Sequence, residues 1–259
     1  MIIDKTVMAK NFGKQAEGYE DATPVQSEMA NELIELCIKN LSCPPLNILE
    51  LGCGTGRVTE KLTKLYPDAQ ITALDISKEM VQQAESMASE KCRFITCDAE
   101  KFIRATSKSY DLIISNACFQ WFETPIESFE IARQKLNPGG HILLSTFSAQ
   151  TFTELKESFD YAYRNHATKN LHHVDLLAVD AWQLLAHISI TEKTKKTRHD
   201  TVTSFLHSIK QAGASSPAKA RLTKKVLDDM IHYYNSHFSF ENEIIASYHY
   251  LLIHGRNNE

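Results

Sequence analysis

The chain has 259 residues, 43% hydrophobic and 23% charged, a balance that supports a buried core and excludes a disordered or membrane-embedded polypeptide. A formal charge of -4 gives no basic surplus for nucleic acid. No apolar run nears the ~20 residues that span a bilayer, and Met1-Ile2-Ile3-Asp4-Lys5 lacks a secretory signal's apolar core, so a cytoplasmic location without nucleic-acid or membrane partners is expected.

Thr23-Pro24 predicts an N-cap followed by proline at the first helical position, opening a helix over 24–40 with Met29, Leu33, Leu36 and Cys37 at helical spacing. Alternation follows. Residues 46–51 read as a strand, 57–66 as a helix, 71–75 as a strand, and 78–88 as a helix with Met80, Ala84 and Met87 on one face. Strands at 93–97 and 110–115, a helix at 126–136, and a strand at 141–147 entered through the turn Asn137-Pro138-Gly139-Gly140 continue the rhythm. This pattern implies an α/β fold: a mainly parallel sheet with helices on both faces. Residues 150–186 break it with helical and loop material rich in Tyr, His and Asn, and they read as an inserted cap over the carboxyl edge of the strands. The sheet resumes at 187–198, a helix follows near 201–211, Gly213-Ala214-Ser215-Ser216-Pro217 forms a loop, and an alternating strand closes the fold at 243–254, the seventh strand. The six cysteines, Cys37, Cys43, Cys53, Cys92, Cys97 and Cys118, have no C-x-x-C pairing or nearby His at metal spacing, so reduced thiols and no metal site are expected.

Glu50-Leu51-Gly52-Cys53-Gly54-Thr55-Gly56-Arg57 ends the first strand and opens a helix, the position where parallel α/β sheets bind ligands. Its spacing is G-x-G-x-G, and Arg57 stands where a dinucleotide fingerprint places its third glycine, which weakens a nicotinamide or flavin reading. Asp75 ends the second strand about 20 residues later, where a carboxylate accepts from both ribose hydroxyls of an adenosine; the alternative is a charge at the N-terminus of the helix after Ser77. Asp98, in Cys97-Asp98-Ala99, ends the third strand at the same edge, able to accept from an adenine amino group or to cap the following turn. Ile76 is placed for apolar contact with an adenine ring or for the core.

Across residues 46–147 the ordered segments ELGCGTGR, ALDIS, CDAE, YDLIISNACFQW and LNPGGHILLS resemble the class I S-adenosylmethionine methyltransferases. The resemblance implies a Rossmann-like seven-stranded sheet and a donor site formed by Glu50, Gly52, Cys53, Gly54, Gly56, Asp75, Ile76, Met80, Asp98, Ala99, Asn116 and Ala117, with Cys118 beside them on the methionine side. With the break in rhythm at 150–186, the chain divides into an N-terminal helical cover (1–42), a donor-binding domain (43–149 and 187–259) and a substrate cap (150–186).

Phe12-Gly13-Lys14-Gln15-Ala16-Glu17-Gly18-Tyr19-Glu20, the segment from Ser115 to Trp121 with its Phe119-Gln120-Trp121, and Ile209-Lys210-Gln211-Ala212-Gly213-Ala214 further resemble the malonyl-acyl-carrier-protein O-methyltransferases of biotin synthesis. That likeness implies malonyl-acyl carrier protein or malonyl-CoA as substrate. Tyr19, Gln120, Trp121, Arg164 and Lys210 are the candidate catalytic residues: Tyr19 closes over the cofactor, orients the substrate carboxylate or anchors the N-terminal segment, and Trp121 and Phe122 wall the acyl pocket or belong to the core. A malonyl carboxylate is ionised near neutral pH and needs no strong base, but selected inside a pocket it should meet a cation. Arg164, His166, His172, His173, Arg198 and Lys210 are candidates, each alternatively a solvated charge. Lys193, Lys195, Lys196 and Arg198, or Lys219, Arg221, Lys224 and Lys225, would steer an acidic carrier or form a solvated face. The alternatives are a methyltransferase of a quinone precursor or small acid, and a donor-binding regulator without transfer.

Overall fold

The computed structural model describes residues 4–86, 90–166, 176–213 and 223–257. Three helices precede the sheet: α1 (Lys5–Gly13), α2 (Tyr19–Ala22) and α3 (Pro24–Asn40). Then β1 (Asn47–Leu51), α4 (Arg57–Leu65), β2 (Gln70–Asp75), α5 (Lys78–Glu85), β3 (Cys92–Thr96), α6 (Ala99–Ala105), β4 (Tyr110–Asn116), α7 (Pro125–Arg133) and β5 (Leu136–Phe147) alternate. The remainder is α8 (Thr153–Asn165), α9 (Val179–Gln183), β6 (Ile188–His199), α10 (Val202–Gln211), α11 (Lys224–His237), β7 (Ser239–Phe240) and β8 (Glu243–Arg256).

The sheet runs β3-β2-β1-β4-β5-β8-β6, with β1 to β5 parallel and β8 antiparallel to both its neighbours. Strand order reverses between β1 and β4, which opens a crevice at the carboxyl ends of these strands. Those seven strands are the seven expected; an eighth, two-residue β7, pairs with the start of β8 around Glu241 and Asn242, both with positive φ. The turn expected at Asn137–Gly140 survives as a bulge inside β5, where Asp111 alone on β4 faces it between the pairs Tyr110↔Leu136 and Leu112↔His141.

Both faces of the sheet are covered. On one, α3 and α4 bury Met29, Leu33, Cys37, Val58 and Leu62 against Ile48, Ile114 and Leu143. On the other, α6, α7 and α9 bury Ile103, Phe129 and Trp182 against Leu49, Ile113 and Leu144. Each such fully buried side chain contributes about 1.5–3 kcal/mol, which is what docks the helices. A third cluster joins α8, α10 and α11 to the start of β8 through Phe159, Phe205, Met230, Tyr234 and Ile244. Of the interruption read at 150–186, α8 thus packs with the helices after residue 200, whereas α9 packs against the sheet with α6 and α7.

Local expectations met different fates. Thr23 does stand before Pro24, yet its hydroxyl donates to the Tyr19 carbonyl at 2.7 Å instead of capping α3. The sequence pattern does not mark α1, α2, α6 or α11; α1 has little apolar periodicity, and α6 starts where Asp98 caps it by accepting from the Glu100 amide at 3.0 Å. All six cysteines are free thiols. Among the described residues no helix is long and apolar enough to cross a membrane.

At the amino end of β5, away from the crevice, His141 and His254 stack at 5.1 Å with Nδ1 and Nε2 2.9 Å apart. Burial, with the positive fields of His254 and Arg256, pushes His141 down to about 4, and burial also lowers His254. A folded-state pKa below the unfolded value stabilises above pH ~6.5, and the stabilisation is lost as pH falls toward 4. Urea unfolding should therefore show about 1–3 kcal/mol lost over that window, and a smaller loss for His141→Asn. Identical pH profiles for the two proteins would remove the pair as the source.

Candidate active site

Two connected chambers occupy the crevice. The larger, with about 620 Å³ of space including its open mouth, is floored by Gly52, Gly54, Asp75, Ile76, Met80, Asp98, Ala99 and Asn116–Cys118, and roofed by Lys5, Met8, Phe12 and Tyr19 with Trp121 and Phe122. The smaller, about 360 Å³, lies along Glu50, Cys53, Thr55, Arg57 and Val58 and shares Tyr19, Gly52, Gly54, Asn116 and Ala117 with the first.

The glycine loop is hung from β2. Leu74 O accepts from both Gly52 N and Cys53 N at 2.8 Å, and the Asp75 carboxylate accepts from Gly54 N at 2.9 Å and Ser77 N at 2.8 Å. Asp75 therefore shapes the loop and the N-terminus of α5 while lining the larger chamber. Burial pushes its carboxyl up, and those amide hydrogen bonds pull it back. A Cβ on Gly52 would lie 2.4 Å from Cys118 Sγ, so glycine is required for β1 and β4 to end side by side. Gly56, with φ +93, lines neither chamber; its missing Cβ lets α5 approach, 3.2 Å from Ala84 Cα.

Arg57 ties the N-terminal segment to this loop. It donates to the Glu20 carboxylate, to Glu20 O at 3.0 Å and to Thr23 O at 3.1 Å, while Thr55 donates to the same carboxylate. Tyr19 is thereby held between the chambers, with Phe12 edge-on to it at 6.2 Å and to Trp121 at 5.6 Å. Its hydroxyl makes no hydrogen bond among the described residues, and burial beside Asp75 pushes its pKa up, so it presents a neutral donor to the space. Burial likewise pushes up the Cys118 thiol. Asn116 is fixed by donating to Gln26 O at 3.0 Å and accepting from Ser145 Oγ at 2.6 Å.

Not every expected residue joins them. Gln120 is partly buried and lines neither chamber; it donates to Ala117 O at 2.7 Å and accepts from Thr146 Oγ1 at 3.1 Å, securing the exit from β4. Arg164 and Lys210 are exposed on α8 and α10 and also line neither. His166 pairs with Asp229 at 2.9 Å and Arg198 with Glu243 at 3.4 Å. Lys193 and Lys195 pair with Glu32 and Glu28 of α3, a clasp between β6 and that helix. His172, His173, Lys219 and Arg221 lie outside the described residues.

Sequence reasoning missed Lys5 and Glu100. Lys5 Nζ donates to both oxygens of Asp98, at 3.1 and 2.9 Å, and to Glu100 at 2.7 Å. Glu100 also accepts from the Glu123 and Thr124 amides and the Ser128 hydroxyl, each at 2.9 Å, pinning the segment that carries Trp121 and Phe122. Although burial opposes it, these donors hold Glu100 down at about 2. Only the CDAE context marked Glu100, and nothing local marked Lys5.

The chain matches the family model described as a methyltransferase domain over residues 44–226. It is 34% identical over 267 residues to the malonyl-[acyl-carrier protein] O-methyltransferase of Halalkalibacterium halodurans, covering 98% of each chain, and 34% identical over 270 residues to that of a Paenibacillus species, covering 96% and 98%. Among solved structures, YcgJ from Bacillus subtilis aligns with a TM-score of 0.58 at 21% identity, over 88% of this chain and 99% of that one. The plantazolicin methyltransferase BpumL, solved with S-adenosylhomocysteine, aligns with a TM-score of 0.53 at 18% identity, over 96% and 94%. The fold and cleft define a methyltransferase whose methyl donor is S-adenosylmethionine. The chain belongs to the methyltransferase-domain family, and its near full-length relatives at 31–34% identity carry the malonyl-[acyl-carrier protein] O-methyltransferase name.

The cleft fits that donor at a buried acid that meets no cation among the described residues. Glu50 is 1% exposed, accepts from Thr59 Oγ1 at 2.5 Å and meets no cation among the described residues. Burial, opposed by the Thr59 hydrogen bond and reinforced by the Asp75 charge, pushes it up to about 8. An ammonium in the smaller chamber would favour its ionised form. For a carboxyl raised above its unfolded value, stability is full below pH ~4.5 and falls as pH rises through 8. Glu50→Gln should therefore unfold in urea about 1–3 kcal/mol harder than the wild type at pH 8.5, with little difference at pH 5, while binding donor more weakly by calorimetry. No gain at pH 8.5 would show that Glu50 carries no buried-charge penalty.

Proposed function

We propose that the protein transfers the methyl group of S-adenosylmethionine to the free carboxylate of a malonyl thioester on acyl carrier protein, with malonyl-CoA as the second possible carrier. The setting would be the early, pimeloyl-building stage of biotin synthesis. The observation that carries this reading is the 34% identity, over nearly the whole of both chains, to a curated malonyl-[acyl-carrier protein] O-methyltransferase.

The chemistry of the cleft agrees. Bound there, the donor supplies an electrophilic methyl carbon on sulfur. In the proposed assignment Asp75 receives the ribose hydroxyls, Asp98 the adenine amino group and Glu50 the methionine ammonium, while Ile76, Met80 and Ala99 supply apolar wall. Gly52, Cys53, Gly54, Asn116 and Ala117 flank the methionine portion, and Gly56 contributes through the packing of α5 on the loop. A carboxylate oxygen of the acceptor forms the new C–O bond as the C–S bond breaks and its electron pair stays on sulfur; no proton moves. The cleft's own titratable groups suit such an acceptor, because Tyr19 and Cys118 are pushed toward their neutral forms and neither is a ready base. A phenolic or quinone-like acceptor would need a base to remove its proton. Catalysis then rests on alignment and on replacing water around the nucleophile.

The acceptor enters, in this reading, beneath Tyr19 and Trp121. Residues 150–186 act as its cap over a donor-binding domain of 43–149 and 187–259, with α10 and α11 extending that cap through the core they share with α8, and residues 1–42 forming the cover. Gln120 acts by holding the loop of Trp121. Arg164 and Lys210 remain proposed carboxylate-steering cations at the cap, outside the two chambers. With labelled donor, the purified protein should esterify malonyl-acyl carrier protein and malonyl-CoA, leave acetyl-acyl carrier protein untouched, and hold a nearly constant chemical rate from pH 6 to 8, because the nucleophile is ionised throughout. Inert malonyl thioesters beside a methylated phenol would replace the carboxylate reading with the small-molecule one.

A further inference from the structure

The face that α1 turns to the protein is the roof of the larger chamber. Lys5, Met8 and Phe12, spaced i, i+3 and i+7, all line it, and α1 has no buried residue of its own. A helix with so little core of its own needs other attachments. At its far end Phe12 meets Tyr19 and Trp121, and Gly213, after α10, packs so closely that a Cβ there would lie 2.4 Å from the Phe12 ring. At its near end the attachment is Lys5, whose ammonium spans Asp98 and Glu100 with its side chain only 15% exposed.

We propose that α1 is the gate of the donor cleft and that Lys5 is its latch, a positioning residue that shuts the helix over the adenine end and holds Asp98 as an acceptor. This rests on reading the larger chamber as the donor site. A carboxylate offers about four acceptor positions. Asp98 uses three of them, two for Lys5 and one for the Glu100 amide, which leaves one for an amino group on the ligand. The ligand's amine therefore joins the latch without displacing it. Donor and latch close together: the ligand adds apolar surface beneath Met8 and Phe12, while Lys5 keeps the roof down. Release of the product requires Lys5 to leave two carboxylates, and the ion pair acts mainly on the dissociation rate.

The test uses the full-length protein and S-adenosylhomocysteine, with dissociation followed by stopped flow and amide exchange followed over residues 4–13. Lys5→Met should speed dissociation by about tenfold or more while changing association less, because interface changes act chiefly on off-rates. Lys5→Arg, which can span the same two carboxylates, should restore slow release. Bound ligand should slow amide exchange in α1 in the wild type, and less so in Lys5→Met. Equal dissociation rates in the wild type and Lys5→Met, or α1 exchange indifferent to ligand, would overturn the gate. Absence of any S-adenosylhomocysteine binding to the wild type would instead overturn the donor-site reading on which the gate depends.

Discussion

Asp75 sets the shape of the cleft by accepting two backbone amides from opposite sides, Gly54 in the loop after β1 and Ser77 before α5. Just before it, Leu74 O takes the amides of Gly52 and Cys53. The glycine loop, which has no side chains to anchor it at Gly52 and Gly54, is thus strung by its N–H groups from the end of β2. Everything else at the crevice is referred to that loop: Cys118 fits against Gly52, Tyr19 faces Gly54, and α5 closes on Gly56. A buried carboxylate without a cation is costly, and its amide donors are what make it tolerable here.

The same economy of charge organises the cover. Arg57 fastens α2 to the loop through Glu20 and Thr23, and Lys5 fastens α1 to the acids after β3. Glu100 then links that latch to the segment after β4 by accepting the Glu123 and Thr124 amides. One side chain thereby connects the N-terminal helix, the third strand and the aromatic wall of the pocket. Glu50, in the smaller chamber, meets no cation among the described residues. That contrast is why it, and not Glu100, is pushed toward its neutral form.

Much of this was legible in sequence because the signals are local. A strand that ends in G-x-G-x-G, an acid closing the next strand and another closing the third recur within about 50 residues, and each occupies the same sheet edge by topology alone. Arg57 was legible as an obstacle to a dinucleotide reading but not as a clamp, since Glu20 and Thr23 lie over 30 residues away. Lys5 was invisible for the same reason, being 93 residues from Asp98 on a helix that buries nothing of its own. The cationic candidates at Arg164 and Lys210 came from residue type without position, and the structure sets both on exposed helix surface. On β6 the sequence left a steering face and a solvated face open, because Glu32 and Glu28, which pair with Lys193 and Lys195, sit far away on α3.

The most direct test of this account is a crystal structure with S-adenosylhomocysteine bound. The Asp75 carboxylate should lie within hydrogen-bond distance of both ribose hydroxyls while still holding Gly54 N, and Asp98 should receive the adenine amino group with Lys5 in place. A ligand seated outside the two chambers, or ribose hydroxyls that make no contact with Asp75, would contradict it.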